Sequence, residues 1–159
     1  SNMLKAIDHI NIVVRQIDPM IMFYTQCLGM RVTKDVVISG KWIDQVVGLE
    51  GVKARVIYLQ VGDGSGPRIE LIDYQNPQSI EPGGQDQPNA VGIRHMAFAV
   101  QDIEVIVERL ASRGVEFGSD VMTVPSGQVQ YAGDVRKRLV YFKDPEGNIL
   151  ELCEYRAGE

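Results

Sequence analysis

The feature that most constrains this chain is an internal repeat. Residues 7–14 return in similar form as residues 93–100, and residues 70–74 return as residues 151–155. The first run of each copy contains a histidine, His9 or His95, and the second run contains a glutamate, Glu70 or Glu151. A repeat that returns the same metal-capable side chains at the same places predicts two similar modules that contribute to one shared site.

Length and composition predict a single domain. The chain has 159 residues, of which 45% are hydrophobic, which is enough to bury a core. We predict one domain over residues 5–156, with a first module over 5–75 and a second over 92–156. Residues 76–91 are rich in Pro, Gln, Gly and Asn and are predicted to form the linker.

Both modules show the same predicted order of elements, βαβββ. Apolar residues at helical spacing follow the first strand of each module, and Gly29 or Gly114 ends the helix. Asp18 is predicted to cap the first helix. Repeated βαβββ order predicts an α+β fold in which two tandem modules form a curved mixed sheet around a cavity, with helices on the outer face.

Three segments are harder to assign to an element. Residues 41–49 are predicted to form an irregular turn or a short helix. In the second module, residues 115–124 are predicted to form a strand, and residues 125–138 an irregular or hairpin region before the next strand.

Strand alternation places the repeated side chains on one face. Side chains two apart share a face, so His9 and Asn11 lie opposite the larger apolar residues Ile10 and Ile12. The same alternation applies around His95 and around each glutamate. We therefore predict that both histidines and both glutamates face the cavity.

These two histidines and two glutamates together predict a metal site. A carboxylate between apolar neighbours is costly to bury alone, and a divalent cation removes that cost. Two nitrogen and two oxygen ligands suit Zn, Ni, Co, Fe or Mn. One such histidine or glutamate alone is more often a core or edge residue, but four at equivalent positions favour a metal centre. The predicted ligands are His9, Glu70, His95 and Glu151.

Charge and hydropathy exclude several classes of partner. A formal net charge of −5 argues against nucleic-acid binding, which needs a basic surface. No apolar run approaches the roughly 20 residues of a membrane helix, and no signal-peptide pattern is present, so we expect a cytoplasmic protein without a membrane partner. The two cysteines do not suggest a disulfide framework.

The duplicated βαβββ pattern, the four predicted ligands and the turn at residues 144–148 (Asp-Pro-Glu-Gly-Asn) resemble the vicinal oxygen chelate superfamily. This family includes glyoxalase I, methylmalonyl-CoA epimerase, extradiol dioxygenases, and fosfomycin- and bleomycin-resistance proteins. The resemblance covers residues 5–156 and implies the glyoxalase fold, a small-molecule substrate and a homodimer.

The resemblance also implies an activity. A His, Glu, His, Glu ligand set is similar to that of glyoxalase I. It implies a divalent-metal-dependent lyase or isomerase that transfers a proton next to a carbonyl through a metal-stabilised enediolate. Glu70 or Glu151 would be the catalytic base, and the symmetry of the repeat does not choose between them. The alternatives are an epimerase of the methylmalonyl-CoA epimerase type and a non-catalytic drug- or metabolite-binding resistance protein.

Four further residues are predicted to contact the substrate. Asn11 shares the face of His9, and Trp42 is available to line the cavity. Arg136 and Arg138 could hold an anionic part of the substrate. The segment after Glu70 lacks the Asn-x-Gly pattern associated with glutathione-using members, so the use of glutathione stays open.

Overall fold

The structure is a computed structural model that describes residues 3–125, 127–128 and 133–157. The chain divides into two compact units, Ser1–Pro82 and Gly83–Glu159, at a point inside the predicted linker. The first unit contains strands β1 (His9–Val13), β2 (Arg31–Ser39), β3 (Lys53–Gln60) and β4 (Arg68–Asn76), with helices α1 (Ile17–Met22) and α2 (Lys41–Val47). The second unit contains β5 (His95–Ala99), α3 (Ile103–Ala111), β6 (Met122–Thr123), β7 (Val135–Lys143) and β8 (Ile149–Ala157).

Each unit is built on a four-stranded mixed sheet. The strand order is β1-β4-β3-β2 in the first unit and β5-β8-β7-β6 in the second. The first strand of each unit pairs in parallel with the last, and the other pairings are antiparallel. The predicted α+β fold with tandem βαβββ modules is confirmed. The parallel pairing matters for function because it brings the histidine strand beside the glutamate strand.

The first helix packs on the apolar face of its sheet. Met20 of α1 and Tyr24 of the π-helical turn that continues it (Phe23–Cys27) are fully buried. The prediction that Asp18 caps this helix is wrong. Helix α1 begins at Ile17, one residue before Asp18, whose carboxylate instead accepts a hydrogen bond at 3.0 Å from Arg55 on β3.

Residues 41–47 form a helix, α2, that packs against the sheet of its own unit. Ile43 of α2 belongs to a buried cluster with Val52 and Ala54, against which Ile72 packs. By strand alternation and pairing, Ala54 and Ile72 share one face of the sheet with Tyr58 and Glu70. Helix α2 therefore lies on the same face of the first sheet as Glu70.

Helix α3 is held to its sheet by a buried carboxylate. Glu154 on β8 accepts hydrogen bonds from the backbone N–H groups of Asp102 at 2.7 Å and Ile103 at 3.1 Å, and from the side chain of Arg156. Burial opposes ionisation, but these hydrogen bonds and the charge of Arg156 outweigh it, so the pKa of Glu154 lies below its ordinary value. The negative charge also suits the positive end of the helix dipole.

The second unit departs from two of the predicted segments. The prediction of a strand over residues 115–124 is wrong, because the pairing there consists of the two-residue strand β6 and a single bridge from Phe117 to Phe142. The prediction that the irregular region extends to residue 138 is also wrong. Strand β7 begins at Val135 because it pairs with β8 along its whole length, which overrides its polar composition. Residues 126 and 129–132 of that segment lie outside the described residues.

The turn between β7 and β8 sets the register at the site. The Asp144 carboxylate accepts hydrogen bonds from the backbone N–H groups of Glu146 and Asn148 and from the Asn148 side chain. This compact turn places Tyr141 of β7 opposite Glu151 of β8.

Across the described residues, no helix is long and apolar enough to span a membrane.

Candidate active site

In the first unit, the structure brings His9, Asn11 and Glu70 together. Parallel pairing of β1 with β4 places Asn11 beside Glu70. The Nδ2 group of Asn11 donates a hydrogen bond to Glu70 Oε1 at 3.1 Å, and His9 Nε2 lies 3.6 Å from the same oxygen. A neutral amide and an imidazole thus face one carboxylate oxygen, as alternation predicted.

Asp8 orients the imidazole of His9. His9 Nδ1 lies 2.7 Å from Asp8 Oδ2, and Arg68 donates to the same oxygen at 2.5 Å. The hydrogen bond from His9, together with that from Arg68, lowers the pKa of Asp8 and keeps it ionised. An ionised acceptor at Nδ1 favours the tautomer in which Nε2 carries the lone pair. The nitrogen that faces Glu70 is therefore free to act as a ligand.

Tyr58 completes this group of side chains and was not predicted. It lies opposite Glu70 in the pairing of β3 with β4, and its ring centroid is 5.4 Å from that of His9. Burial and the nearby charge of Glu70 raise the pKa of Tyr58, so its hydroxyl group keeps its proton. Arg68 stacks over the same ring at 4.4 Å.

The second unit repeats this arrangement with His95, Tyr141 and Glu151. His95 Nε2 lies 3.2 Å from Glu151 Oε1, and the Tyr141 ring lies 5.0 Å from the His95 ring. Burial, and then the charge of Glu151, raise the pKa of Tyr141. The predicted ligands therefore come as two His–Glu pairs, one in each unit, and each pair has a tyrosine at the same register position.

A lysine enters the second group where the first unit has none at the equivalent position. Lys137 Nζ lies 3.1 Å from Glu151 Oε2, and the Glu151 side chain is only 3% exposed. Burial alone would lower the pKa of Lys137, but the hydrogen bond and the charge of Glu151 outweigh it and raise the pKa. The second carboxylate is thus paired with an ammonium ion.

Strand register identifies the equivalent positions in the two units. Lys137 pairs with Tyr155, just as Ala54 pairs with Tyr74 in the first unit. Beside the glutamates, Asn11 of β1 corresponds to Ala97 of β5. The two groups share histidine, tyrosine and glutamate, but one adds a neutral amide and the other a cation.

The other predicted substrate residues do not join these groups. Arg138 forms an ion pair with Glu104 of α3, which places it on the helix face of β7. Arg136 lies two residues away and shares that face by alternation. Trp42 lies on α2 and is 58% exposed. Among the four predicted substrate residues, Asn11 is the one for which the structure gives a contact with a predicted ligand.

The donor atoms of each pair suit a divalent metal ion. Each unit offers an imidazole Nε2 and a carboxylate oxygen on adjacent strands, and Asp8 supplies the outer partner that commonly orients a ligating histidine. In the described parts of the chain, no group of three or more His, Cys, Asp or Glu residues is arranged to hold a metal. Each pair is by itself half of the predicted four-ligand set.

Comparison with known proteins identifies relatives over most of the chain. The family model described as Glyoxalase/Bleomycin resistance protein/Dioxygenase superfamily matches residues 6–152. A 2-epi-5-epi-valiolone epimerase from an Actinomyces species is 30% identical, with 96% of this chain and 81% of the relative covered. A putative lactoylglutathione lyase from Brassica oleracea is 26% identical over 92% of this chain and 43% of its own length. The crystal structure of a glyoxalase family protein from Bacillus cereus is 30% identical with a TM-score of 0.79, covering 97% of this chain and 96% of that one.

Proposed function

Because the chain belongs to the Glyoxalase/Bleomycin resistance protein/Dioxygenase superfamily, we propose that it is a divalent-metal-dependent enzyme of the glyoxalase I type. Its reaction is the transfer of a proton on the carbon next to a carbonyl group. The observation that carries this proposal is the duplicated arrangement of histidine, tyrosine and glutamate. A binding protein would not need an imidazole beside a carboxylate in both units.

The metal would be held by both pairs. His9 and Glu70 of the first unit and His95 and Glu151 of the second would be the ligands for Zn, Ni, Co, Fe or Mn. When bound, such an ion polarises the substrate carbonyl and makes the neighbouring C–H group more acidic. The nitrogen donors fit this role because His9 directs its Nε2 atom towards Glu70 while Nδ1 contacts Asp8.

The glutamates would carry the proton. A carboxylate oxygen of Glu70 or Glu151 accepts it from the substrate carbon and returns it at the end of the reaction. Asn11 holds the Glu70 carboxylate in one orientation by donating to Oε1. Tyr58 and Tyr141 stay protonated because burial and the glutamates raise their pKa values.

Epimerisation is the second candidate reaction, and a specific observation favours it. The relative that is 30% identical, with most of both chains covered, is named as an epimerase. An epimerase removes a proton from one side of a carbon and delivers one to the other side, which two equivalent carboxylates can do. The same residues would serve, and only the substrate and the product would differ.

A homodimer acting on a small molecule in the cytoplasm is part of the same proposal. Open four-stranded sheets leave edge strands that a second copy can cover. Light scattering after gel filtration tests it, since a monomeric mass over a range of concentrations would contradict the dimer.

Solvent exchange tests the reaction directly. The protein is analysed for bound metals, loaded with each of the five ions, and incubated in D₂O with either the hemithioacetal of glutathione and methylglyoxal or 2-epi-5-epi-valiolone. We expect proton NMR to show, in at least one case, loss of the signal of the proton on the carbon next to the carbonyl as deuterium replaces it. The product then separates the two candidates, since a thioester indicates the glyoxalase reaction and a stereoisomer indicates epimerisation.

The glutamates provide the matched variants. Glu70→Gln and Glu151→Gln should retain metal, and at least one should exchange ~10²- to 10⁴-fold more slowly, as expected when a general base is lost. Full activity in both variants, or no exchange with any ion and either substrate, would contradict the proposal.

A further inference from the structure

The lysine beside Glu151 is not required by the fold. The equivalent position in the first unit is Ala54, which is fully buried in an otherwise matching pair of strands. Lys137 therefore cannot be explained as part of the repeated framework. The cations on the glutamate face of the first unit, Lys34 and Arg68, lie over the Tyr58 ring, whereas Lys137 forms an ion pair with the glutamate itself.

Lys137 can bind more than Glu151. An ammonium group has three N–H donors, and its contact with Glu151 is an ion pair between Nζ and Oε2 at 3.1 Å. The Lys137 side chain is 20% exposed, so part of it is reachable from solvent. The Tyr155 ring lies 5.8 Å from Nζ. This geometry leaves donors for a ligand oxygen while the carboxylate holds the ammonium group in place.

The neighbouring arginine has a different role that the repeat explains. Arg138 pairs with Glu104 of α3, and Arg55 pairs with Asp18 of α1 in the first unit. Both arginines connect the first helix of a unit to its third strand, so this ion pair belongs to the framework. Of the three consecutive cations at 136–138, Lys137 is the one on the face of Glu151.

We propose that Lys137 is a specificity residue that binds an anionic oxygen group of the substrate, such as a carboxylate or phosphate, beside Glu151. This inference rests on the proposed function and deepens it, because it assigns a negatively charged substrate to the same site. Without such a cation, the charge of Glu151 would repel an anion. Lys137 removes that repulsion and donates a charge-assisted hydrogen bond.

Ligand binding by charge-matched probes tests this role. Glycolate, inorganic phosphate and neutral hydroxyacetone are titrated by NMR into the protein, both metal-free and loaded with Zn²⁺. Lys137→Ala introduces the side chain that Ala54 has at the equivalent position of the first unit, and Lys137→Arg keeps the positive charge. Arg109→Ala, at an exposed position of α3 on the opposite face of the same sheet, also removes one positive charge and is the control.

We expect Lys137→Ala to weaken the binding of at least one anion by ~10-fold or more, and that of hydroxyacetone by less than about 2-fold. Whichever of glycolate and phosphate loses more identifies the anionic group. Lys137→Arg should retain most of the affinity, and Arg109→Ala all of it. Zn²⁺ affinity should be unchanged or higher in Lys137→Ala, since a competing cation beside Glu151 is gone.

The outcomes separate this inference from the proposed reaction. If neither anion binds the wild-type protein, or if Lys137→Ala binds both as the wild type does, the inference is overturned while solvent exchange can still occur. If exchange is absent with every ion, the proposed reaction fails, and the probe titrations still decide the role of Lys137.

Discussion

The two units of this protein keep the same framework and differ at the positions around one side chain. In both, a parallel strand pair brings histidine to glutamate, and a tyrosine lies opposite the glutamate. Around Glu70 the neighbour is the amide of Asn11, whereas around Glu151 it is the ammonium group of Lys137. The duplicated fold thus presents two equivalent carboxylates in electrostatically different surroundings.

This difference shows how a duplicated fold can give two similar groups separate roles. Positions that hold the sheet and helix together recur in both units, as the pairs Arg55–Asp18 and Arg138–Glu104 illustrate. By contrast, Asn11 beside Glu70 and Lys137 beside Glu151 have no counterpart in the other unit. The units should therefore respond alike to changes in the framework and differently to changes at the glutamates.

The largest expected contrast is in stability after removal of each glutamate charge. Glu151→Gln leaves the largely buried ammonium of Lys137 without its carboxylate and should lower the free energy of unfolding by about 1–3 kcal/mol. Glu70→Gln keeps an oxygen that accepts from Asn11 and should cost less than about 1 kcal/mol. Urea unfolding of metal-free protein measures both.

A double-mutant cycle isolates the ion pair as the cause. Lys137→Ala in the Glu151→Gln background should recover most of the lost stability, since no buried charge remains unpaired. Equal losses from Glu70→Gln and Glu151→Gln would show that the two surroundings do not differ in energy.

The next contrast concerns how each helix is attached. Glu154→Gln should lower stability by about 1–2 kcal/mol at pH 7, because the carboxylate binds the N–H groups at the start of α3 and the side chain of Arg156. Asp73→Asn, at the equivalent position of β4, is the control and should cost less.

The pH dependence of this effect has a definite sign. The pKa of Glu154 is lower in the folded protein than its ordinary value of 4.5, so its stabilisation is present above that value and is lost as the pH falls. The difference between wild type and Glu154→Gln should be largest at neutral pH and should shrink as the pH falls below 4.5. Thermal unfolding across this range measures it, and a difference that grows on acidification would contradict the assignment.

The smallest effects should be the most alike in the two units. Arg55→Met and Arg138→Met each break an ion pair between a helix and a strand, with Asp18 and Glu104, and Arg55→Met also breaks the pair with the partly exposed Asp35 of β2. Each should lower stability by about 0.5–1 kcal/mol, with little change in deuterium exchange. A large loss of activity in Arg138→Met alone would give this arginine the substrate role that its sequence position suggested.

Much of this arrangement could be predicted from sequence because two periodicities coincide. Strand alternation assigned His9 and Glu70 to one face, and the repeat assigned the same to His95 and Glu151. Tyr58 and Tyr141 could have been found by the same means, since residues 56–59 and 139–142 are similar runs with tyrosine in third place. That the two pairs join in one four-ligand metal centre stays a prediction.

Other features depended on tertiary pairing that local sequence does not reveal. The cations at 136–138 resemble a single charged loop until pairing with β8 extends β7 to Val135 and divides them between two faces. Only then does Lys137 separate from Arg138. Similarly, residues 41–47 form a helix because Ile43 is buried against Val52 and Ala54, which lie in a later part of the chain.

The pairing of the first strand of each unit with its last strand has a consequence for folding during synthesis. During synthesis, His9 emerges early but can meet Glu70 only after most of the first unit has left the ribosome, because β4 is the neighbour of β1. A chain interrupted before Asn76 would lack part of the partner strand. The contact between histidine and glutamate can therefore form only when the last strand of its unit is present, so in each unit the candidate site is assembled last.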